Sequence, residues 1–180
     1  MSLICLCGFM GAGKTAVGTK LAERLGHKFV DLDSEIERQE GRSIDKIFDT
    51  DGESYFRAME VLIGSPLFEL KNTVLAVGGG ALTNPELAQL AMRNSFLVYL
   101  EVQDAWTLYD RLRGGAGRPL LKGIETYEAF EGLYRRLMVR RRPDFERARL
   151  TIQTDQLTVD DIVERIASRQ SAPQVRHGRR

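Results

Sequence analysis

Among its 180 residues the chain has only two cysteines, two histidines and one tryptophan, and no long apolar run. Each scarcity removes a class of function. Cys5 and Cys7 stand two apart on an expected strand, so they share a face. A disulfide there is poorly placed, and two sulfurs do not make a zinc site. They read as small buried apolar residues. His27 and His177 lie in no motif, which removes histidine acid–base chemistry. No stretch approaches the ~18 apolar residues of a spanning helix. The opening Met1-Ser2-Leu3 has no basic segment of the kind that starts a signal peptide, so a cytoplasmic protein is expected. Charge of one sign is lacking too. Twenty-six basic residues stand against 25 acidic ones, a net charge of +1. That balance argues against a general nucleic-acid or membrane surface. Any work done by arginine must come from its placement.

What is present is a soluble domain's composition, 43% hydrophobic and 28% charged, in a length suited to one domain. Apolar or β-branched runs at Leu3–Cys7, Phe29–Leu32, Thr73–Val77, Phe96–Val102 and Leu150–Thr154 alternate with helical patterns. Short continuous strands separated by helices predict an α/β fold with a parallel sheet buried on both faces. Helix ends are marked as well. Val17, Leu21 and Leu25 recur before Gly26, and a charged helix with Ile36 ends near Gly41. Asp51 is placed to cap a segment holding Phe56, Met59, Leu62 and Ile63. Asn84-Pro85 reads as a cap and first helical residue, Asp104 precedes another helix, and Thr158-x-x-Asp161 is a capping box.

The strongest motif is Gly8-Phe9-Met10-Gly11-Ala12-Gly13-Lys14-Thr15, a G-x-x-x-x-G-K-[ST] loop between a strand and a helix. Its backbone N–H groups and the helix start around Gly13 suit phosphate. Gly11, Ala12, Gly13, Lys14, Thr15 and Ala16 are the expected nucleotide contacts, with Lys14 on the outer phosphates and Thr15 offering a hydroxyl to Mg²⁺. The Lys14 side chain is expected to face solvent while the loop is empty. Gly114-Gly115-Ala116-Gly117-Arg118-Pro119 reads as a mobile flap. From about Ser168 the chain is rich in Ser, Gln, Pro and Arg and reads as a flexible tail.

Asp31-Leu32-Asp33 after the second strand, Gly78-Gly79-Gly80 after the third, Arg118-Pro119-Leu120-Leu121, Phe48 with Asp51-Gly-Glu-Ser-Tyr-Phe56-Arg57, and Arg141-Arg142-Pro143 come in the order and spacing that resemble shikimate kinases, from about Leu3 to Ala167. The resemblance implies a three-layer α/β/α P-loop kinase fold with a five-stranded parallel sheet, a lid at about 112–125 and a substrate-binding helical region at about 33–63, all in one domain over 1–168 with an Arg-rich tail over 169–180. It implies ATP-dependent phosphorylation of the 3-hydroxyl of shikimate, on the route to chorismate and aromatic amino acids, by a monomer using Mg²⁺.

Roles follow from the same resemblance. Thr15 and Asp31 hold Mg²⁺. Asp33 orients the acceptor hydroxyl and takes its proton. Arg57 and Arg141 fix the shikimate carboxylate, chemistry that a guanidinium fork suits. Gly78, Gly79 and Gly80 offer bare backbone to the acceptor. Arg118 swings onto the phosphates as a cation, and Arg111 stacks on adenine. For Asp31 and Asp33 the plain alternative is a helix cap, and for the arginines a solvated face. Phe48 and Phe56 are cavity or core, and Trp106 core or lid support. Two other functions are weighed, a related small-molecule kinase such as a gluconate kinase and a nucleotide-binding module without turnover.

Overall fold

The computed structural model describes residues 3–113 and 119–171. Five strands, β1 (Leu3–Cys7), β2 (Lys28–Asp31), β3 (Thr73–Ala76), β4 (Phe96–Glu101) and β5 (Leu150–Gln153), form one parallel sheet in the order β2-β3-β1-β4-β5. Leu6 of β1 is in register with Ala76 on one side and Val98 on the other. Every residue of β1 and β3 is buried, as a parallel sheet covered by helices on both faces requires. Each expected strand is present. Strands β2 to β5 each end one residue before the expected bound, and Asp31, the last residue of β2, also caps the next helix, accepting hydrogen bonds from the N–H groups of Asp33 and Ser34.

The helices are α1 (Lys14–Leu25), α2 (Leu32–Glu40), α3 (Ile44–Thr50), α4 (Gly52–Leu67), α5 (Pro85–Asn94), α6 (Ala105–Leu112), α7 (Tyr127–Phe145) and α8 (Val159–Ser171). Asn84, Asp104 and the Thr158/Asp161 pair cap α5, α6 and α8 as the sequence predicts. Asp51 does not. Its carboxylate pairs with Arg42 (2.5 Å) and accepts from Thr50 (2.6 Å), leaving no side-chain cap on α4. A guanidinium is a stronger partner than an amide N–H. On α4 the buried stripe is Phe56, Glu60, Ile63 and Gly64, while Leu62 faces solvent. Helix α8 runs three residues into the stretch expected to be tail. Among the described residues no helix is long and apolar enough to cross a membrane.

The carboxyl ends of β1, β2 and β3 open toward α2, α3 and α4. The chain order reverses on either side of β1, and such switch points are where open parallel sheets bind ligands.

Candidate active site

The loop after β1 is built on left-handed glycines, with φ of +80° at Gly11 and +91° at Gly13, the residue that opens α1. Ala12 is buried and Ala16 lies exposed on the first turn of α1. Lys14 differs from expectation. Its ammonium folds back to donate to the carbonyls of Gly8 (2.9 Å) and Phe9 (3.1 Å). Burial lowers its pKa, opposed by the nearby Asp33 and Asp31 carboxylates. An ammonium drawn from water needs acceptors, and the loop's own carbonyls are the nearest ones. Arg111 Nη1 donates to the Gly11 carbonyl (3.2 Å), so α6 is tied to the same loop. Arg118 lies outside the described residues.

Thr15 Oγ donates to Asp31 Oδ2 at 3.0 Å. The other Asp31 oxygen caps α2, so this residue is both the cap and the neighbour of Thr15. No cluster of three or more His, Cys, Asp or Glu suited to a metal exists among the described residues. One carboxylate plus one hydroxyl, both hard oxygen donors at the mouth of a phosphate loop, is still the set that Mg²⁺ takes when phosphates and water supply its remaining ligands. The residues present fit that ion.

Beside the loop lies an open cavity of about 170 Å³. Asp33 and Arg57 face it from α2 and α4, Phe48 and Phe56 pack at 5.1 Å along its wall, Gly78, Gly79 and Gly80 form its floor, and Arg141 reaches in from α7. Of three consecutive arginines, only Arg141 is buried (4% exposed), with Arg140 and Arg142 in solvent. Its guanidinium lies 5.5 Å over the Phe9 ring.

Arg57 is held by two carboxylates, Glu60 at 2.5 Å and Glu53 at 2.8 Å. The glycines admit this crowd because they lack a Cβ. One on Gly78 would sit 2.8 Å from Asp33 Oδ1 and 2.9 Å from Glu60 Oε1, and one on Gly80 would sit 2.9 Å from Arg57 Nη1. The glycine run is thus explained by close packing of charged side chains.

The electrostatics carry a signature. Asp33 does not cap α2. Its carboxyl is pushed up to about 6 by burial and by the Asp31 and Glu60 charges, against the pull of Lys14 and Arg57. Arg141 is pulled down to about 10 by burial and by Arg57, against Glu60. Four buried side-chain atoms among the described residues have no hydrogen-bond partner, and three of them belong to this cavity: Asp33 Oδ1, Glu60 Oε1 and Arg141 Nη1. Buried polar atoms are rarely left bare. A ligand with hydroxyls and a negative charge would satisfy both kinds.

Sequence reading missed Glu60. Its signal is a charged residue on the apolar stripe of α4, three positions after Arg57.

A shikimate kinase family model matches residues 10–170. The shikimate kinase of Chlorobium chlorochromatii is 40% identical over 169 residues, covering 92% of this chain and 88% of that protein. The shikimate kinase of Acinetobacter baumannii, solved in complex with shikimate, superposes with a TM-score of 0.86 at 37% identity, covering 94% of this chain and 93% of that one. The Bacteroides thetaiotaomicron shikimate kinase superposes with a TM-score of 0.87 at 28% identity, over 95% of this chain and 99% of that one. With the phosphate loop, the five-stranded sheet and the charged cavity in the same chain, these matches mean that the chain belongs to the shikimate kinase family.

Proposed function

We propose that the chain transfers the γ-phosphoryl group of ATP to the 3-hydroxyl of shikimate, with the residues above in the following roles. Lys14 releases the Gly8 and Phe9 carbonyls and moves onto the outer phosphates when nucleotide enters. Thr15 and Asp31 hold Mg²⁺, which when bound offsets phosphate charge. The loop from Gly11 to Ala16 cradles the phosphates, Arg111 lies along the base, and Arg118, from its place in the sequence, adds a cation on the transferring group. Arg57 and Arg141 clamp the acceptor's carboxylate. Asp33 orients the attacking hydroxyl and accepts its proton as the P–O bond forms. Transfer is direct and in line, with no phospho-enzyme.

Residues 33–63 are the acceptor-binding region and 112–125 the lid of a single domain. The two buried cysteines carry no disulfide, which suits a reducing cytoplasm, and the enzyme works as a monomer.

The observation that carries this reading is the three unpartnered polar atoms, of both charges, converging on one cavity next to the phosphate loop. A carboxylate on a ring of hydroxyls answers each of them. The gluconate kinase and non-catalytic alternatives are not favoured by the relatives. ADP release coupled to a reporter, run with shikimate, gluconate and nucleoside monophosphates, tests the acceptor. Shikimate alone should support turnover, and a preference for gluconate would contradict the reading.

A further inference from the structure

Helix α3 presents two adjacent stripes. Ile44 and Phe48, four residues apart, line the acceptor cavity. Asp45 and Asp49, one position further round, face away from it toward Lys122. Its ammonium donates to Asp49 Oδ1 at 2.6 Å, and the Asp45 charge reaches it as well. Asp45 Oδ1 is the fourth buried polar atom without a hydrogen-bond partner among the described residues. Lys122 is joined by a single turn to Pro119, whose carbonyl accepts from the Lys122 N–H (3.2 Å). Pro119 and Leu120 form the apolar ceiling over the same cavity. The short 3₁₀ turn Pro119–Leu121 packs on α3, its last carbonyl, of Leu121, accepts from the Ile124 N–H (3.0 Å), and four residues past the turn the Tyr109 hydroxyl donates to the Glu125 carbonyl (3.0 Å).

We infer that Lys122 and Asp49, with Asp45 behind them, are positioning residues for the acceptor: their ion pair latches the Pro119–Leu121 turn onto α3 and so sets the ceiling of the acceptor cavity. The pair touches neither substrate. It acts by holding two apolar residues over a site whose charged groups need water excluded to work at full strength. The nucleotide loop is bound by other contacts, so the latch discriminates between the two substrates. This rests on the reading of the cavity as the shikimate site.

An exposed pair of this kind is worth little to the fold as a whole, so its trace is kinetic. Lys122→Ala should raise the KM for shikimate about two- to fivefold while the KM for ATP and the melting temperature hold. Lys122→Glu, which sets a third negative charge against Asp45 and Asp49, should raise it further. The exchange Asp49→Lys with Lys122→Glu should bring it back toward wild type, because the ammonium then carried by α3 can pair both with the carboxylate on the turn and with Asp45. Raising ionic strength should narrow the gap between wild type and Lys122→Ala. An unchanged shikimate KM in Lys122→Glu, an equal rise in both KM values, or no recovery in the exchanged pair overturns the latch. Wild-type enzyme run alongside separates the two ideas. If it turns over shikimate and the variants do not shift, only the latch fails. If it does not use shikimate at all, the cavity reading fails and the latch with it.

Discussion

Arg141→Met separates binding from folding. Methionine keeps most of the side chain's length and its contact with Phe9, but removes a buried cation whose Nη1 has no hydrogen-bond partner and which Arg57 repels. Its neighbour Glu60 keeps its ion pair to Arg57, so no carboxylate loses its direct partner. Replacing a poorly compensated buried charge with an apolar group of similar volume is commonly neutral or stabilising. The ligand-free variant should therefore melt at or above the wild-type temperature. Binding should move the other way. A charge-assisted hydrogen bond to a carboxylate is worth about 1.5–3 kcal/mol, so the shikimate KM should rise roughly 10- to 150-fold, with the ATP KM little changed. Shikimate at a hundredfold excess over its Kd should stabilise the wild type by about 2.7 kcal/mol, a rise of roughly 5–11 °C. At the same concentration the variant should lose most of that rise. Melting scans with and without shikimate, beside steady-state kinetics, read both effects. A variant that melts several degrees lower yet keeps the wild-type shikimate KM would show that Arg141 is a structural ion, and the argument from unpartnered atoms would fail.

Arg57→Lys keeps the charge but loses the fork that meets Glu53 and Glu60, so the KM for shikimate should rise while that for ATP holds; equal changes in both would argue against a carboxylate contact. Asp33→Asn should cut kcat far more than it alters melting at pH 4. Because the Asp33 pKa is raised from 3.8 to about 6, the folded state holds this proton longer than the unfolded chain, and ionisation destabilises the fold as pH rises through that window. The variant should gain stability relative to wild type between pH 4 and pH 7, and a gain that shrinks with pH would contradict the shift. Lys14→Ala should abolish turnover without unfolding the protein; unchanged turnover would remove Lys14 from the mechanism. Chelation with EDTA should stop turnover while the melting temperature of the ligand-free enzyme stays in place, since on the proposed reading Mg²⁺ joins the Thr15–Asp31 pair together with the nucleotide and holds no part of the fold.

Features set by backbone demand were legible in the sequence. The loop from Gly8 to Thr15 needs glycine at positive φ, and the short apolar runs between helical patterns mark a parallel sheet whose inner strands β1 and β3 are buried throughout, while the edge strands β2 and β5 are more exposed. Side-chain choices among competing partners were not legible. Asp51 could cap α4 or pair with Arg42, and nothing in its spacing tells that the guanidinium wins. Lys14 folds onto its own loop because of where the Gly8 and Phe9 carbonyls point, a fact of geometry. Glu60 hid on a stripe that reads as apolar, between Phe56 and Ile63, and its meaning appears only when Gly78 brings Asp33 against it. Arg141 was separable from Arg140 and Arg142 by resemblance alone; burial supplies the physical reason, since one residue in three consecutive helical positions faces inward.

On the proposed reading, one crevice draws the anionic donor and the anionic acceptor together through cations fixed by the fold. A crystal structure with ADP, Mg²⁺ and shikimate tests it most directly. The shikimate carboxylate should lie on Arg57 and Arg141, its 3-hydroxyl on Asp33 and its ring over Gly78 to Gly80, with the β-phosphate against Lys14. Shikimate bound away from this cavity, or turned so that its carboxylate meets Asp33, would contradict it.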